Sequence, residues 1–148
     1  KAQFIADVTV PDGTNFAPGT TFDKTWRLKN IGNCTWSTSY QLFFYGGDKM
    51  GGPDALTFPK SVAPGQTVDI TVSLTAPNSA GSYRGYWMFK NASGALFGIG
   101  YQANKSWWVD IKVTGSSGPT VTPTVVTSTA TATMTETAIP TATDTPVP

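Results

Sequence analysis

The most constraining feature of the sequence is a nine-residue run, 67–75, in which polar and apolar side chains alternate without exception. Its apolar members are Val68, Ile70, Val72 and Leu74. A period of two places each set of side chains on its own face of a β-strand, and it does not fit the 3.6-residue period of a helix. The run therefore predicts a strand with one buried face and one face in solvent.

Similar runs recur through residues 1–114, separated by turn sequences rich in Gly, Pro and Asn. This part of the chain has no Glu and holds all 18 aromatic residues, a composition that favours strands over helices. About seven short strands of this kind predict an all-β fold, an immunoglobulin-like antiparallel β-sandwich. The other predicted inward faces are Phe4, Ala6, Val8 and Val10, then Phe22, Trp26 and Leu28, then Tyr83, Gly85, Trp87 and Phe89, and finally Val109, Ile111 and Val113.

The composition changes sharply near Gly115. Residues 115–148 contain 12 Thr and five Pro but no aromatic residue. Such a segment has too little apolar surface to offset the entropy lost on ordering. We therefore predict a domain at 1–114 followed by an extended Thr/Pro-rich linker or tail at 115–148.

The composition of this tail is typical of O-glycosylated stalks in secreted proteins, so we expect an extracellular or bacterial cell-surface protein with glycans on the tail. A second interpretation comes from threonines at every other position, which suit a β-strand. The tail would then add to the sheet edge of a neighbouring copy and build an extracellular filament. The threonines of this possible tail strand are Thr127, Thr129, Thr131, Thr133, Thr135 and Thr137.

Charge and residue usage exclude several function classes. The net charge is +1, and only 13% of residues are charged, which argues against a nucleic-acid partner. The chain has no His and few carboxylates, so we expect no enzyme, no cofactor and no metal. No apolar run is long enough to span a bilayer.

Three smaller features have ordinary structural interpretations. The single cysteine, Cys34, is expected to be a small buried residue, since it has no partner for a disulfide. Asp12 is expected to serve turn formation alone. Residues 45–54, which include two Asp and four Gly, predict a mobile loop rather than a calcium site, because calcium needs six to eight oxygen ligands.

The tryptophans are the main candidates for a functional role. Trp26, Trp36 and Trp87 lie in alternating patterns or beside turns, so we expect them in the core. Trp107 and Trp108 are adjacent in a predicted strand, so one of them must face away from the core. Strict alternation with the apolar residues that follow places Trp107 inward and Trp108 outward.

The predicted partner-binding residues are this pair together with Tyr86 and Met88. Tyr86 and Met88 flank Trp87 in their strand and therefore project from its opposite face. They extend an apolar patch on the outer side of the sandwich, which a partner, a second sheet or a neighbouring subunit would cover.

The string PDGTNFAPGTTFDKTWRLKNIGNCTW at residues 11–36, with Gly81-Ser82-Tyr83 further on, resembles the four-tryptophan (FW) domain. This immunoglobulin-like domain occurs in an autophagy cargo receptor, and related domains occur in bacterial proteins. The resemblance covers roughly residues 4–113 and implies a protein-binding module without catalytic activity. It assigns Trp108, rather than Trp107, to the fourth structural tryptophan. A β-bulge near residues 105–108 would reconcile that assignment with the alternation.

We therefore expect a non-catalytic binding or assembly module whose partner is a protein or further copies of the chain. The filament subunit is the structural alternative. The third alternative is a carbohydrate-binding module on a glycosylated linker, because exposed aromatic rings stack on the flat faces of sugars.

Overall fold

The computed structural model describes residues 1–115, which form nine β-strands. The strands are β1 (Ala2–Asp7), β2 (Thr14–Phe16), β3 (Thr21–Asn30), β4 (Gln41–Gly47), β5 (Ala55–Thr57), β6 (Thr67–Thr75), β7 (Gly81–Lys90), β8 (Leu96–Phe97) and β9 (Trp107–Val113). This stretch contains no helix, and therefore none that would cross a membrane. The predictions for residues 116–148, including the alternating threonines between 127 and 137, fall outside the described residues.

The strands form two sheets that face each other. One sheet has the order β1-β3-β6, and the other has the order β2-β9-β7-β4-β5, with β8 beside β7. All neighbouring strands are antiparallel except β2 and β9, which are parallel. The predicted all-β class and the immunoglobulin-like sandwich are confirmed. The strand count exceeds the expected seven because β2, β5 and β8 have only two or three residues each.

Four tryptophans fill the space between the sheets. Trp26, Trp36, Trp87 and Trp107 are each at most 2% exposed. The ring centroids of Trp26 and Trp87 lie 5.8 Å apart, and those of Trp26 and Trp107 lie 6.5 Å apart. Edge-on and tilted contacts of this kind add to the stability that burial of the rings provides. The chain has a single cysteine, so aromatic packing rather than an internal disulfide joins the two sheets.

The β7–β9 ladder decides between the two orientations of the tryptophan pair. Its register runs from the Gly81–Val113 pair to the Trp87–Trp107 pair without a shift. The bulge that would have reconciled the resemblance with the alternation is therefore absent from β9, and simple alternation holds. Trp107 is 1% exposed and Trp108 is 38% exposed. Trp107, rather than Trp108, is the fourth core tryptophan.

The first strand departs from its predicted pattern. Its register with β3 shifts between Phe4 and Ala6, and the strand ends at Asp7. Val8 is 45% exposed, so the predicted continuous face from Phe4 to Val10 is wrong. A bulge adds one residue to a strand and so reverses the alternation beyond it.

The turn before β7 is fixed by a tyrosine corner. The Tyr83 hydroxyl donates a hydrogen bond of 2.8 Å to the carbonyl oxygen of Ser79, four residues upstream. This contact gives the Gly81-Ser82-Tyr83 sequence a structural role and is common in immunoglobulin-like sandwiches.

Candidate functional site

Trp108 is the exposed member of the tryptophan set, and its ring is held from two sides. Its indole Nε1 donates a hydrogen bond of 2.8 Å to Oδ2 of Asp12. The guanidinium of Arg84 lies over the ring, 5.3 Å from its centroid. Arg84 in turn makes an ion pair of 2.7 Å with Asp110. The Trp108 ring is therefore a surface feature of fixed orientation, and Asp12 does more than form a turn.

A buried lysine orients the segment that carries Asp12. Lys24 is fully buried, and its Nζ donates 2.6 Å hydrogen bonds to Oδ1 of Asp7 and to the carbonyl oxygen of Val10. Val10 has a φ of +52°, a value that is rare for a β-branched residue and must be imposed by its surroundings. A buried ammonium is tolerated only when it is paired, and here the partners are the last residue of β1, Asp7, and Val10 in the segment between β1 and β2.

Lys24 was not predicted as part of any site, although the sequence contains the necessary signal. Its position between Phe22 and Trp26 places it on the inward face of β3, in register with apolar residues. A cation at such a position requires buried partners, and the sequence alone does not say which ones.

The other predicted partner-binding residues divide into exposed and covered ones. Tyr86 lies directly opposite Trp108 in the β7–β9 ladder and is half-buried. Met88 is only 5% exposed. A Cβ atom placed on Gly98 would lie 3.3 Å from the Met88 Cε, so the chain beyond β8 covers this methionine. The predicted contribution of Met88 to an exposed patch is therefore wrong, and so is that of the buried Trp107.

A small cleft opens beside Trp108, between β1 and β9. Its volume is about 120 Å³. Since a cavity of about 150 Å³ holds one benzene molecule, this cleft fits a single side chain. It is lined by Phe4, Asp7, Asp12, Ile99, Trp107 and Trp108. We call Trp108, Tyr86, Arg84 and the cleft together the Trp108 surface.

Two further expectations are corrected by the structure. Cys34 is exposed rather than buried, because it lies in the turn after β3 and its chain neighbours face solvent. Residues 45–54 are not all loop, because residues 45–47 belong to β4 and the segment that follows makes contacts with β7 and the core. The Asp48 carboxylate accepts the Arg84 backbone N–H at 2.9 Å, and Met50 is buried.

Comparisons with known proteins identify relatives of the chain. Residues 9–113 match a family described as the Ig-like domain from next to BRCA1 gene. The potato protein JOKA2 is 42% identical over 100 residues, which are 66% of this chain and 12% of that protein. The Arabidopsis thaliana NBR1 homolog is 34% identical over 118 residues, 78% of this chain and 16% of its own. The autophagy receptor Nbr1 of Schizosaccharomyces pombe is 32% identical over 81 residues, 53% of this chain and 20% of its own.

The relatives overturn the predicted location. One is an autophagy receptor by name, and autophagy takes place inside cells. The expectations of an extracellular or bacterial cell-surface protein, of a secreted glycoprotein and of a filament subunit are therefore wrong. The carbohydrate-binding alternative depended on the same extracellular setting and is withdrawn with them. The expected location rested on the Thr/Pro-rich tail, whose composition indicates a segment without a core but does not indicate a compartment.

Proposed function

Since the chain belongs to the family of immunoglobulin-like domains from next to BRCA1, we propose that it is a protein-binding module whose contact surface is the Trp108 surface. The observation that carries the proposal is the exposed Trp108 ring, held in place by Asp12 and Arg84. The chain corresponds to between about one-eighth and one-fifth of the length of the three relatives described above. The proposal therefore concerns this module alone.

The physical support is that the surface combines the residue types that dominate protein interfaces. Trp, Tyr and Arg are enriched among residues whose truncation costs the most binding free energy. A ring that is already immobile loses little conformational entropy when a partner covers it. Trp108, Tyr86 and Arg84 supply these residue types on the neighbouring strands β7 and β9. The Trp108 ring also meets the second condition, because Asp12 and Arg84 hold it.

The cleft supplies a position for one partner side chain. Its lining includes the aromatic residues Trp108 and Phe4 and the acidic residues Asp7 and Asp12. An apolar side chain inserted there would exclude water from the Trp108–Asp12 hydrogen bond, which strengthens that bond in the complex. The partner segment that fits is therefore one with a protruding apolar residue.

Binding without catalysis is part of this proposal. It is supported by the lack of His in the whole chain. Among the described residues, no group of three or more Cys, Asp or Glu side chains is placed to hold a metal ion. We also keep the division into a module at 1–114 and a linker or tail at 115–148, which is supported by the end of the family match at residue 113.

The test is a peptide selection on the full chain. Peptides are selected from a random display library, synthesised, and titrated against wild-type protein, Trp108→Ala and Tyr101→Ala by fluorescence polarisation. Tyr101 is the matched control, because it is 92% exposed but lies outside the Trp108 surface. We expect Trp108→Ala to weaken binding by about thirtyfold, as hot-spot truncations do, while Tyr101→Ala leaves it unchanged. A selection in which every bound peptide binds Trp108→Ala as tightly as wild type would refute the proposal.

A further inference from the structure

The free edge of β6 lies in the other sheet, away from the Trp108 surface. Sheet order places β1 and β6 at the edges of one sheet and β2 and β5 at the edges of the other. β2 and β5 have three residues each, and β1 is interrupted by its register shift. β6 has nine residues, no Pro, no Gly and no shift in register. Short or bulged edges resist the addition of a further strand, whereas a long regular edge accepts one.

The backbone groups that face outward from β6 follow from the hydrogen bonds at its two ends. Gln66 and Ala76 flank β6, and both bond to the chain of β3 and its preceding turn. The carbonyl oxygen of Gln66 accepts a hydrogen bond from the N–H of Asn30, and the N–H of Ala76 donates one to the carbonyl oxygen of Thr20. The even-numbered residues therefore bond to β3. The N–H of Thr75 turns the other way and donates to the carbonyl oxygen of Met50 at 2.7 Å.

The odd-numbered residues before Thr75 point their N–H and C=O groups in that same outward direction. Within residues 1–115, these groups have no backbone partner. Four residues thus offer a row of donors and acceptors spaced as a further strand requires. They are Thr67, Asp69, Thr71 and Ser73.

The charges around β6 are unequal at its two ends. Lys29 lies opposite Thr67 in the ladder, and Lys60 lines a depression of about 440 Å³ next to Thr67. Neither lysine belongs to an ion pair within the described residues. At the other end, Oδ1 of Asp23 accepts a hydrogen bond from Ser73. One end of the edge is therefore positive and the other negative.

The centre of the edge carries no free charge. Arg27 binds Asp69 through two hydrogen bonds of 2.7 Å. The hydrogen bond from Arg27 holds the pKa of the Asp69 carboxyl below its usual value, so this pair stays ionised and neutral as a unit at physiological pH. The Thr25 and Thr71 hydroxyls also pair, at 2.8 Å. An incoming strand would therefore meet no unpaired charge between the two ends.

We propose that the β6 edge binds an extended segment of a protein partner as an additional antiparallel strand, with acidic residues at the C-terminal end of that segment. An antiparallel strand ends next to Thr67, where its carboxylates meet Lys29 and Lys60. A parallel strand would place the same carboxylates beside Asp23. The backbone bonds supply affinity, and the charges select the direction.

The first test uses defined peptides with the full chain. The probe is an acetylated, amidated, dye-labelled peptide of sequence KTVTVTVEE, and the control is the reversed sequence EEVTVTVTK. We expect the forward peptide to bind about fivefold more tightly at low salt and the difference to shrink at high salt. Equal binding of the two peptides would overturn the proposed direction. A third peptide has the forward sequence but is N-methylated at the alternate residues whose backbone N–H groups would bond to β6. Because it cannot donate these hydrogen bonds, it should bind at least about tenfold more weakly than the forward peptide.

The second test changes the protein at Thr71. Proline is accepted at an edge strand where the lost N–H faces outward, so Thr71→Pro removes one edge donor and leaves the β3 ladder intact. Thr71→Val is the matched control, since it loses the same hydroxyl contact with Thr25 but keeps the N–H. We expect Thr71→Pro to weaken the forward peptide at least about tenfold and Thr71→Val to change it by less than about twofold.

Two measurements separate this inference from its alternatives. Trp108→Ala should leave binding of the forward peptide unchanged, so that failure at one surface is distinguishable from failure at the other. Amide exchange in the complex should slow at the outward-facing positions Asp69, Thr71 and Ser73 and stay constant at Ile70 and Val72.

Peptide binding that survives both N-methylation and Thr71→Pro refutes the edge site. A second copy of the chain would be the occupant if the peptide does not bind and sedimentation shows concentration-dependent dimers that Thr71→Pro abolishes. That result would also refute the proposal.

Discussion

At the scale of single residues, Lys24 determines more of the site than its place in the sequence indicates. Its ammonium is buried and bonds to Asp7 and to the carbonyl oxygen of Val10. Through that segment it fixes Asp12, and Asp12 fixes the Trp108 ring. The exposed aromatic residue is thus oriented by a cation on the opposite sheet.

We predict that Lys24→Met lowers the free energy of unfolding by about 2 to 3 kcal/mol, because the Asp7 carboxylate and the Val10 carbonyl lose their buried partner. Urea unfolding followed by tryptophan fluorescence measures this change. Lys29→Met is the matched control on the same strand, where the side chain has no ion pair among the described residues, and it should change the stability by less than about 0.5 kcal/mol. Similar losses in the two variants would contradict the anchoring role of Lys24.

At the scale of strands, close approach of the backbone explains where glycine is required. A Cβ atom on Gly85 in β7 would lie 2.6 Å from the carbonyl oxygen of Asp48. Gly46 in β4 has nothing within 4 Å of the same position. Both glycines belong to strands of the same sheet, so they form a matched pair.

We predict that Gly85→Ala destabilises the fold by about 2 kcal/mol or more, because the Asp48 segment must move to relieve the overlap. Gly46→Ala should stay within about 1 kcal/mol of wild type. Thermal unfolding by circular dichroism compares the two variants directly. A melting temperature for Gly85→Ala equal to that of Gly46→Ala would show that the Asp48 segment yields without cost.

The buried and exposed faces of a strand could be predicted from the sequence where no β-bulge interrupts the alternation. β6 and β9 follow strict alternation, so their buried faces and the outward position of Trp108 could be derived from the sequence. β1 could not, because its bulge reverses the alternation after Phe4 without a Gly or Pro to indicate it. The partners of Trp108 were also missed, since Asp12 lies 96 residues away along the chain and only the sheet pairing brings the two together.

At the scale of the whole molecule, the sandwich separates its five tryptophans into two classes. Four are at most 2% exposed, and Trp108 is 38% exposed. Burial on this scale makes a ring inaccessible to quenchers dissolved in water, whereas a surface ring remains open to collision.

We predict that acrylamide quenches only one component of the native fluorescence, that of Trp108, and that the other four respond after unfolding in urea. Trp108→Phe should therefore remove nearly all quenching of the folded protein while leaving its emission blue-shifted. Trp36→Phe should leave the quenchable component unchanged. Quenching that persists in Trp108→Phe would mean that acrylamide reaches the tryptophan rings between the sheets, and it would contradict the prediction.

The burial of Lys24 also has a kinetic consequence. Amine acylation requires the reagent to reach a free amino group, and the Nζ of this residue is enclosed on all sides by protein. In a timed labelling experiment, the other lysines would acquire adducts while the molecule is closed. Lys24 would react only when the chain between the first two strands detaches, so its rate of modification reports how often that detachment occurs.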